Sequence, residues 1–291
     1  MKVLCFGSLN IDHTYRVEHF LKPGETASTT GYSQHAGGKG LNQAIALARA
    51  GAEVHMAGCV GPDGGMLLET LGTSGVCTDL VKTVSAPTGH AIIQVDDSGQ
   101  NCILICHGAN AAITPAQVDQ TLAHFSAGDV LLLQNEICEN SYIAQRANAQ
   151  GMELWVNPSP VTEELLRGST VQLADWLVMN ELELASLTGT EDISQATSLF
   201  VEQYPRKKLV LTLGSQGSLF AGGGTILKQP AFPVSAVDTT GAGDTYLGYF
   251  LATYLQTHSP ETALAQAAKA AAIAVTRNGA AEAIPRREEI F

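Results

Sequence analysis

Short apolar runs with little internal alternation recur along the chain, and between them the apolar positions fall at helical spacing. The runs predict strands at 2–7, 53–58, 130–133, Glu153–Asn157, 176–179 and Lys208–Thr212. The intervening stretches predict helices at 40–50, 115–125, 141–150, Glu181–Thr188 and Ile193–Gln203. Strands that alternate with helices point to βαβ units, and strands apolar throughout are those covered on both faces. The expected fold class is α/β, a three-layer, mostly parallel sheet with helices on both sides.

Two regions break that rhythm. Residues 12–34 hold Pro23, Gly24 and Gly31 between short mixed segments, and residues 88–106 read as two strands around the turn Asp96-Asp97-Ser98-Gly99. Neither adjoins a helix. Together they predict a small antiparallel β lid on a single domain spanning 1–291. The alanine-rich stretch 263–274 reads as a tightly packed helix, and Pro205-Arg206-Lys207-Lys208 as a solvated strand entrance.

Charge narrows the function. With 16 Lys+Arg against 28 Asp+Glu among 291 residues, the net charge is −12, which disfavours a nucleic-acid or anionic-membrane surface. No apolar stretch approaches the roughly 20 residues that span a bilayer. The opening residues read as a first strand, not a signal peptide. The six cysteines form no Cys-x-x-Cys pair, which suits free thiols in a reducing, cytoplasmic compartment. The eight histidines show no zinc-ligand spacing.

The most informative stretch is Asp238-Thr239-Thr240-Gly241-Ala242-Gly243-Asp244, followed by Leu247, Phe250, Leu251, Tyr254 and Leu255 at helical spacing. A glycine turn that opens into a helix leaves backbone N–H groups without intrahelical partners, at the positive end of the dipole. Phosphate can approach such a turn closely. Asp244 in the same turn reads either as a favourable first-turn charge or as a base beside the reacting group. Gly37-Gly38-Lys39-Gly40 is a second glycine turn before a helix, and it is not a Walker A loop, because glycine follows Lys39.

These motifs, with Gly7-Ser8-Leu9-Asn10-Ile11-Asp12, Gly108-Ala109-Asn110, Asn157-Pro158-Ser159-Pro160, Asn180-Glu181-Leu182-Glu183 and Thr212-Leu213-Gly214-Ser215-Gln216-Gly217, run in order nearly end to end. The chain resembles the ribokinase-like, or PfkB, carbohydrate kinases, most closely those that phosphorylate ribose. The resemblance implies transfer of the γ-phosphoryl of ATP to a sugar hydroxyl, with ribose to ribose 5-phosphate expected. Kinases of the same fold act on deoxyribose, fructose or nucleosides, and a non-catalytic sugar- or nucleotide-binding regulator is the reading of a different class.

By this resemblance Asp244 is the base, and Gly241, Ala242 and Gly243 form the anion hole. Asn10, Asp12, Gly38, Lys39, Asn42 and Glu136 take the sugar. Asn180 and Glu183 organise phosphate, Mg²⁺ and water, while Thr212, Gly214 and Gly217 shape the nucleotide side. A monovalent cation, usually K⁺, is expected at Asp238, Thr240, Ala274, Arg277 and Gly279, chiefly through backbone carbonyls. The chain departs from the pattern at Ala283, where a serine often adds an oxygen, and at Ala268, where a histidine can contact adenosine. The family also implies a homodimer paired through the lid.

Overall fold

In the computed structural model, which describes residues 1–290, thirteen strands form two sheets. In chain order they are β1 (Val3–Phe6), β2 (Asn10–Arg16), β3 (Gly31–Gly37), β4 (Val54–Val60), β5 (Cys77–Thr83), β6 (Gly89–Val95) and β7 (Asn101–Cys106). They continue as β8 (Val130–Gln134), β9 (Glu153–Asn157), β10 (Trp176–Asn180), β11 (Lys208–Thr212), β12 (Ser218–Gly222) and β13 (Thr225–Gln229). The helices are α1 (Lys39–Arg49), α2 (Gly65–Thr73), α3 (Pro115–Leu122), α4 (Asn140–Ala149) and α5 (Glu163–Arg167). The remaining five are α6 (Ser169–Leu173), α7 (Glu181–Thr188), α8 (Ile193–Gln203), α9 (Ala242–Thr257) and α10 (Pro260–Ala274).

The large sheet has the order β13-β12-β11-β10-β9-β8-β1-β4-β5. It is parallel from β5 to β11 and ends in the antiparallel hairpin β12–β13. Successive residues of a strand point to opposite faces, so a strand buried on both sides must be apolar throughout. That is how the central strands are used. Val3 and Cys5 enter one core with α1, α2, α9 and α10, while Leu4 and Phe6 enter the other with α3, α4, α7 and α8. Val130 and Leu132 divide from Leu131 and Leu133 in the same way. In the first core Trp155 stacks on Trp176 with centroids 4.0 Å apart.

The lid is the four-stranded sheet β3-β2-β6-β7. Its outer pairs are antiparallel, but β2 and β6 run parallel, because the chain passes through α1, β4, α2 and β5 between them. Asp96 Oδ1 accepts from the Ser98 and Gln100 N–H groups and makes the expected turn between β6 and β7. The basic cluster differs from expectation. Lys207 Nζ donates to the Gln172 and Ala174 carbonyls, and Lys208 Nζ lies 4.5 Å over the Trp176 ring, since long cationic stems pack while their heads find acceptors.

Candidate active site

Gly241 stands immediately before α9 with φ 70°, a left-handed conformation that suits glycine. A β-carbon there would also come 3.1 Å from the Ala280 Cβ. Thr239 O accepts from Ala242 N–H at 3.2 Å, and Gly243 and Asp244 border the cavity beyond. Asp244 is only 8% exposed. A carboxylate buried to that degree requires donors, and two amides supply them. Asn42 Nδ2 donates to Oδ2 at 3.1 Å and Gln43 Nε2 to Oδ1 at 2.8 Å. Both amides lie on α1, some 200 residues away in sequence. The approach depends on Gly248 of α9, where a β-carbon would come 2.4 Å from the Ala46 Cβ of α1.

At the foot of the lid, Asn10 Oδ1 accepts from Asn110 Nδ2 at 2.8 Å. Asn110 is itself anchored by the Leu9 N–H, which donates to its Oδ1. Asp12 follows on the same face of β2. Glu136 lies two residues beyond β8, at the carboxyl edge of the sheet where open α/β sheets place ligands. Its Oε2 accepts from Ser8 Oγ at 2.5 Å and from the Lys39 N–H at 3.1 Å, so it also pins the second glycine turn. Burial, the nearby Glu136 carboxylate and Glu282 push Asp12 up to about 6, partly opposed by His35. His35 Nδ1 lies 3.4 Å from Glu282 Oε1, which links the lid to the loop after α10.

Two cavities meet at the glycine turn. One, of about 230 Å³, is bordered by Lys39, Asn180, Glu183, Thr212, Gly241 and Asp244. Burial pulls the Lys39 ammonium down, but the carboxylates of Asp244, Glu136 and Glu183 outweigh it and leave it above its ordinary value. Lys39 therefore stays charged at the wall of this cavity. Asn180 and Glu183 form a reciprocal cap on α7: Asn180 Oδ1 accepts from Glu183 N–H, and Glu183 Oε2 from Asn180 N–H, each at 2.9 Å. The second cavity, of about 440 Å³, is mostly apolar and includes Thr212, Gly214, Gly217, Phe232, Tyr246 and Ala268. Gly214 and Gly217 lie in the turn of the β11–β12 hairpin, and the same turn walls this cavity. Thr212, Thr239, Ala242 and Gly243 border both cavities.

Asp238 ties the turn to the loop after α10. Its Oδ1 accepts from Thr240 N and Oγ1 at 2.9 and 2.7 Å, and its Oδ2 from Gly279 N at 2.9 Å. Burial opposes ionisation, yet these hydrogen bonds win and hold the carboxyl below its usual range. The Ala274 carbonyl accepts from Arg277 N–H at 3.0 Å, while the Arg277 side chain pairs with Glu289. Ala283 is buried nearby in sequence. Among the described residues no cluster of three His, Cys, Asp or Glu side chains is arranged to hold a metal, and all six cysteines are free. No described helix is long and apolar enough to cross a membrane.

The family model for pfkB family carbohydrate kinases matches residues 1–287. The chain belongs to that family. It is a carbohydrate kinase. A ribokinase of Haemophilus influenzae is 36% identical to it over 97% of this chain and 95% of its own length. A deoxyribokinase of Salmonella typhi is 32% identical over 99% and 97%. The structure of Arabidopsis thaliana ribokinase complexed with ribose and ATP superposes with a TM-score of 0.86 at 32% identity, covering 99% of the kinase and 96% of that chain.

The structure brings Lys39, Asn180, Glu183, Thr212 and Asp244 of the kinase around one pair of cavities, with Asn42 behind Asp244 and Asn10, Asp12, Gly38 and Glu136 at the lid side, outside the cavity linings. Sequence reasoning gave no role to Gln43, Gln134 or Ser8. Gln43 adjoins Asn42 within a motif already singled out, but helical neighbours diverge by about 100° and nothing in the sequence shows that both reach Asp244. Gln134, a polar residue closing an apolar strand, was the available signal for the second.

Proposed function

We propose that this kinase transfers the γ-phosphoryl group of ATP to the primary hydroxyl of D-ribose, giving ribose 5-phosphate and ADP. The observation that carries the reading is the placement of Asp244, held by two neutral donors on the wall of the polar cavity and next to Gly243, which borders the apolar cavity as well. Adenosine occupies the larger cavity, beside Thr212, Gly214 and Gly217. The sugar lies under the lid against Asn10, Asp12, Gly38, Lys39, Asn42 and Glu136. That a relative of the same fold is complexed with ribose and ATP supports the choice of these two ligands.

Asp244 accepts the proton of the attacking hydroxyl as its oxygen bonds to the γ-phosphorus. The bond from that phosphorus to the bridging oxygen breaks, and ADP leaves. Negative charge on the transferring group meets the turn of Gly241, Ala242 and Gly243, where the Ala242 N–H is engaged by the Thr239 carbonyl and the Gly241 and Gly243 N–H groups are the donors, together with the Lys39 ammonium. The donor set suits Mg²⁺ held through water: Glu183 commits one carboxylate oxygen to Asn180 N–H and keeps acceptor capacity for a hydrated ion. Bound there, Mg²⁺ would supply positive charge to the phosphate oxygens. Asp238 accepts from the Thr240 and Gly279 N–H groups and so joins the two loops whose carbonyls at Thr240, Ala274, Arg277 and Gly279 would hold K⁺, with one side-chain oxygen fewer because residue 283 is alanine.

The protein works as a single domain with its lid, in the cytoplasm, as a dimer through that lid. A deoxyribose reading follows from the deoxyribokinase relative. An assay of ATP consumption against ribose, deoxyribose, fructose and nucleosides separates these, with ribose expected to give the highest kcat/KM. Asp244→Ala should lose at least about 10³-fold in kcat while still binding sugar and nucleotide. Full retention of function by that variant would point to the regulator instead.

A further inference from the structure

Asp244 is held by two amides that differ in their own support. Asn42 has a buried Oδ1 without a partner, so only one end of that amide is fixed. Gln43 is fully buried and committed at every position. Its Nε2 donates both to Asp244 Oδ1 at 2.8 Å and to Asn157 Oδ1 at 3.1 Å. Its Oε1 accepts from Gln134 Nε2 at 2.7 Å. Asn157 Nδ2 in turn donates to the Val178 carbonyl at 2.9 Å. These partners stand at the carboxyl ends of β8, β9 and β10, so a line of amides crosses the sheet edge and terminates on the carboxylate.

We infer that Gln43 is a positioning residue for the phosphoryl transfer, fixing the plane of the Asp244 carboxylate through its anchorage on Gln134 and Asn157. This rests on the reading of Asp244 as the base. A buried amide engaged by three partners cannot rotate without stranding a donor or acceptor, so it transmits the rigidity of the sheet to the reacting atom. Misplacing a reacting group by about 1 Å costs on the order of 10²-fold in rate. The sequence marks Gln43 only as the neighbour of a sugar residue. The structure turns it away from the lid and onto the base.

The test compares kcat and KM of the full-length kinase with Asp244→Asn, Gln43→Leu, Gln43→Glu and Gln134→Met. Gln43→Leu is expected to lower kcat by about 30- to 100-fold while the KM values for sugar and ATP stay within about threefold. Gln43→Glu supplies a donor only when protonated. Its kcat relative to wild type should therefore rise as the pH falls, against the background of Lys39, Glu136, Glu183 and the Cys5 thiol around the carboxylate. Gln134→Met, which touches Gln43 and not Asp244, should lower kcat less with KM unchanged, and it decides the matter if the Gln43 variants do not fold. Folded Gln43 variants, or in their absence Gln134→Met, with wild-type kcat would overturn the inference. So would a loss confined to KM. If Asp244→Asn itself keeps turnover, the base assignment fails instead.

Discussion

Asp12 lies across the bare α-carbon of Gly37 on the adjoining lid strand, so close that a β-carbon on Gly37 would stand 2.0 Å from Asp12 Oδ2. The carboxylate, proposed to take the sugar, can occupy this space because the neighbouring strand has no side chain there. Gly37→Ala should displace it and raise the KM for ribose at least about tenfold, with the KM for ATP unchanged. Steady-state kinetics with each substrate varied in turn checks this, and a ribose KM within twofold of wild type would refute it.

The acidity of Asp12 gives a pH signature. Its carboxyl is pushed up to about 6 by burial and by Glu136 and Glu282, with His35 opposing. If Asp12 accepts from sugar hydroxyls as proposed, its ionised form is lost as pH falls through 6, so the KM for ribose should be flat above about pH 7 and climb below 6. Stability runs the other way. Between about pH 4 and 6 the folded protein binds the extra proton, so this group's contribution to stability declines as pH rises through that window. Above 6 the buried charge remains a cost, of no more than about 2 kcal/mol after solvent screening. Asp12→Asn should accordingly raise Tm at pH 7.5 while it impairs ribose use, read by thermal melts and kinetics of the same preparation.

Two glycines of the anion turn should respond oppositely to alanine. A β-carbon at Gly243 meets no protein atom within 4 Å, and the residue lies inside α9. Gly243→Ala should leave stability unchanged or raise it by up to about 1 kcal/mol, because alanine favours the helix. Its methyl nevertheless enters the cavity assigned to phosphate, so kcat/KM for ATP should fall at least about tenfold. At Gly241, left-handed and packed on Ala280, alanine costs about 1–2 kcal/mol and should lower Tm as well as activity. Melting curves alone distinguish the two. A lowered Tm for Gly243→Ala would contradict the geometry.

On β7, an edge strand of the lid, Ile103, Leu104 and Ile105 are 51%, 68% and 52% exposed. Apolar edge strands left open invite pairing, and a second copy of the lid is the proposed cover. Leu104→Lys should shift the sedimenting species from dimer to monomer at micromolar concentration, with the catalytic turn untouched. A wild-type protein that sediments as a monomer would remove the proposal and leave the chemistry in place.

Most of the central layer was legible because its inner strands are buried on both faces and read as apolar runs, while several of the helices between them keep a helical period. Glu153–Asn157, Lys208–Thr212, Glu181–Thr188 and Ile193–Gln203 occur with the expected ends. The last strand of the parallel run, β5, was not expected, since Cys77–Thr83 mixes polar and apolar residues as an edge strand does. The hairpin β12–β13 was also missed. Gly214 and Gly217 lie before it, in the turn from β11, and its five-residue strands of small and mixed residues carry little periodicity.

Local sequence therefore determined the elements, the two glycine turns and the identity of the acid beside one of them. Backbone preferences, burial period and helix-end electrostatics all act within a few residues. Only the tertiary structure decided which groups surround that acid: Gln43 and Asn42 reach Asp244 because α1 and α9 touch at Gly248, and Gln43 is locked because β8 and β9 end beside it. Contacts between residues about 90 to 200 positions apart arise from packing of whole elements, and no local pattern encodes them.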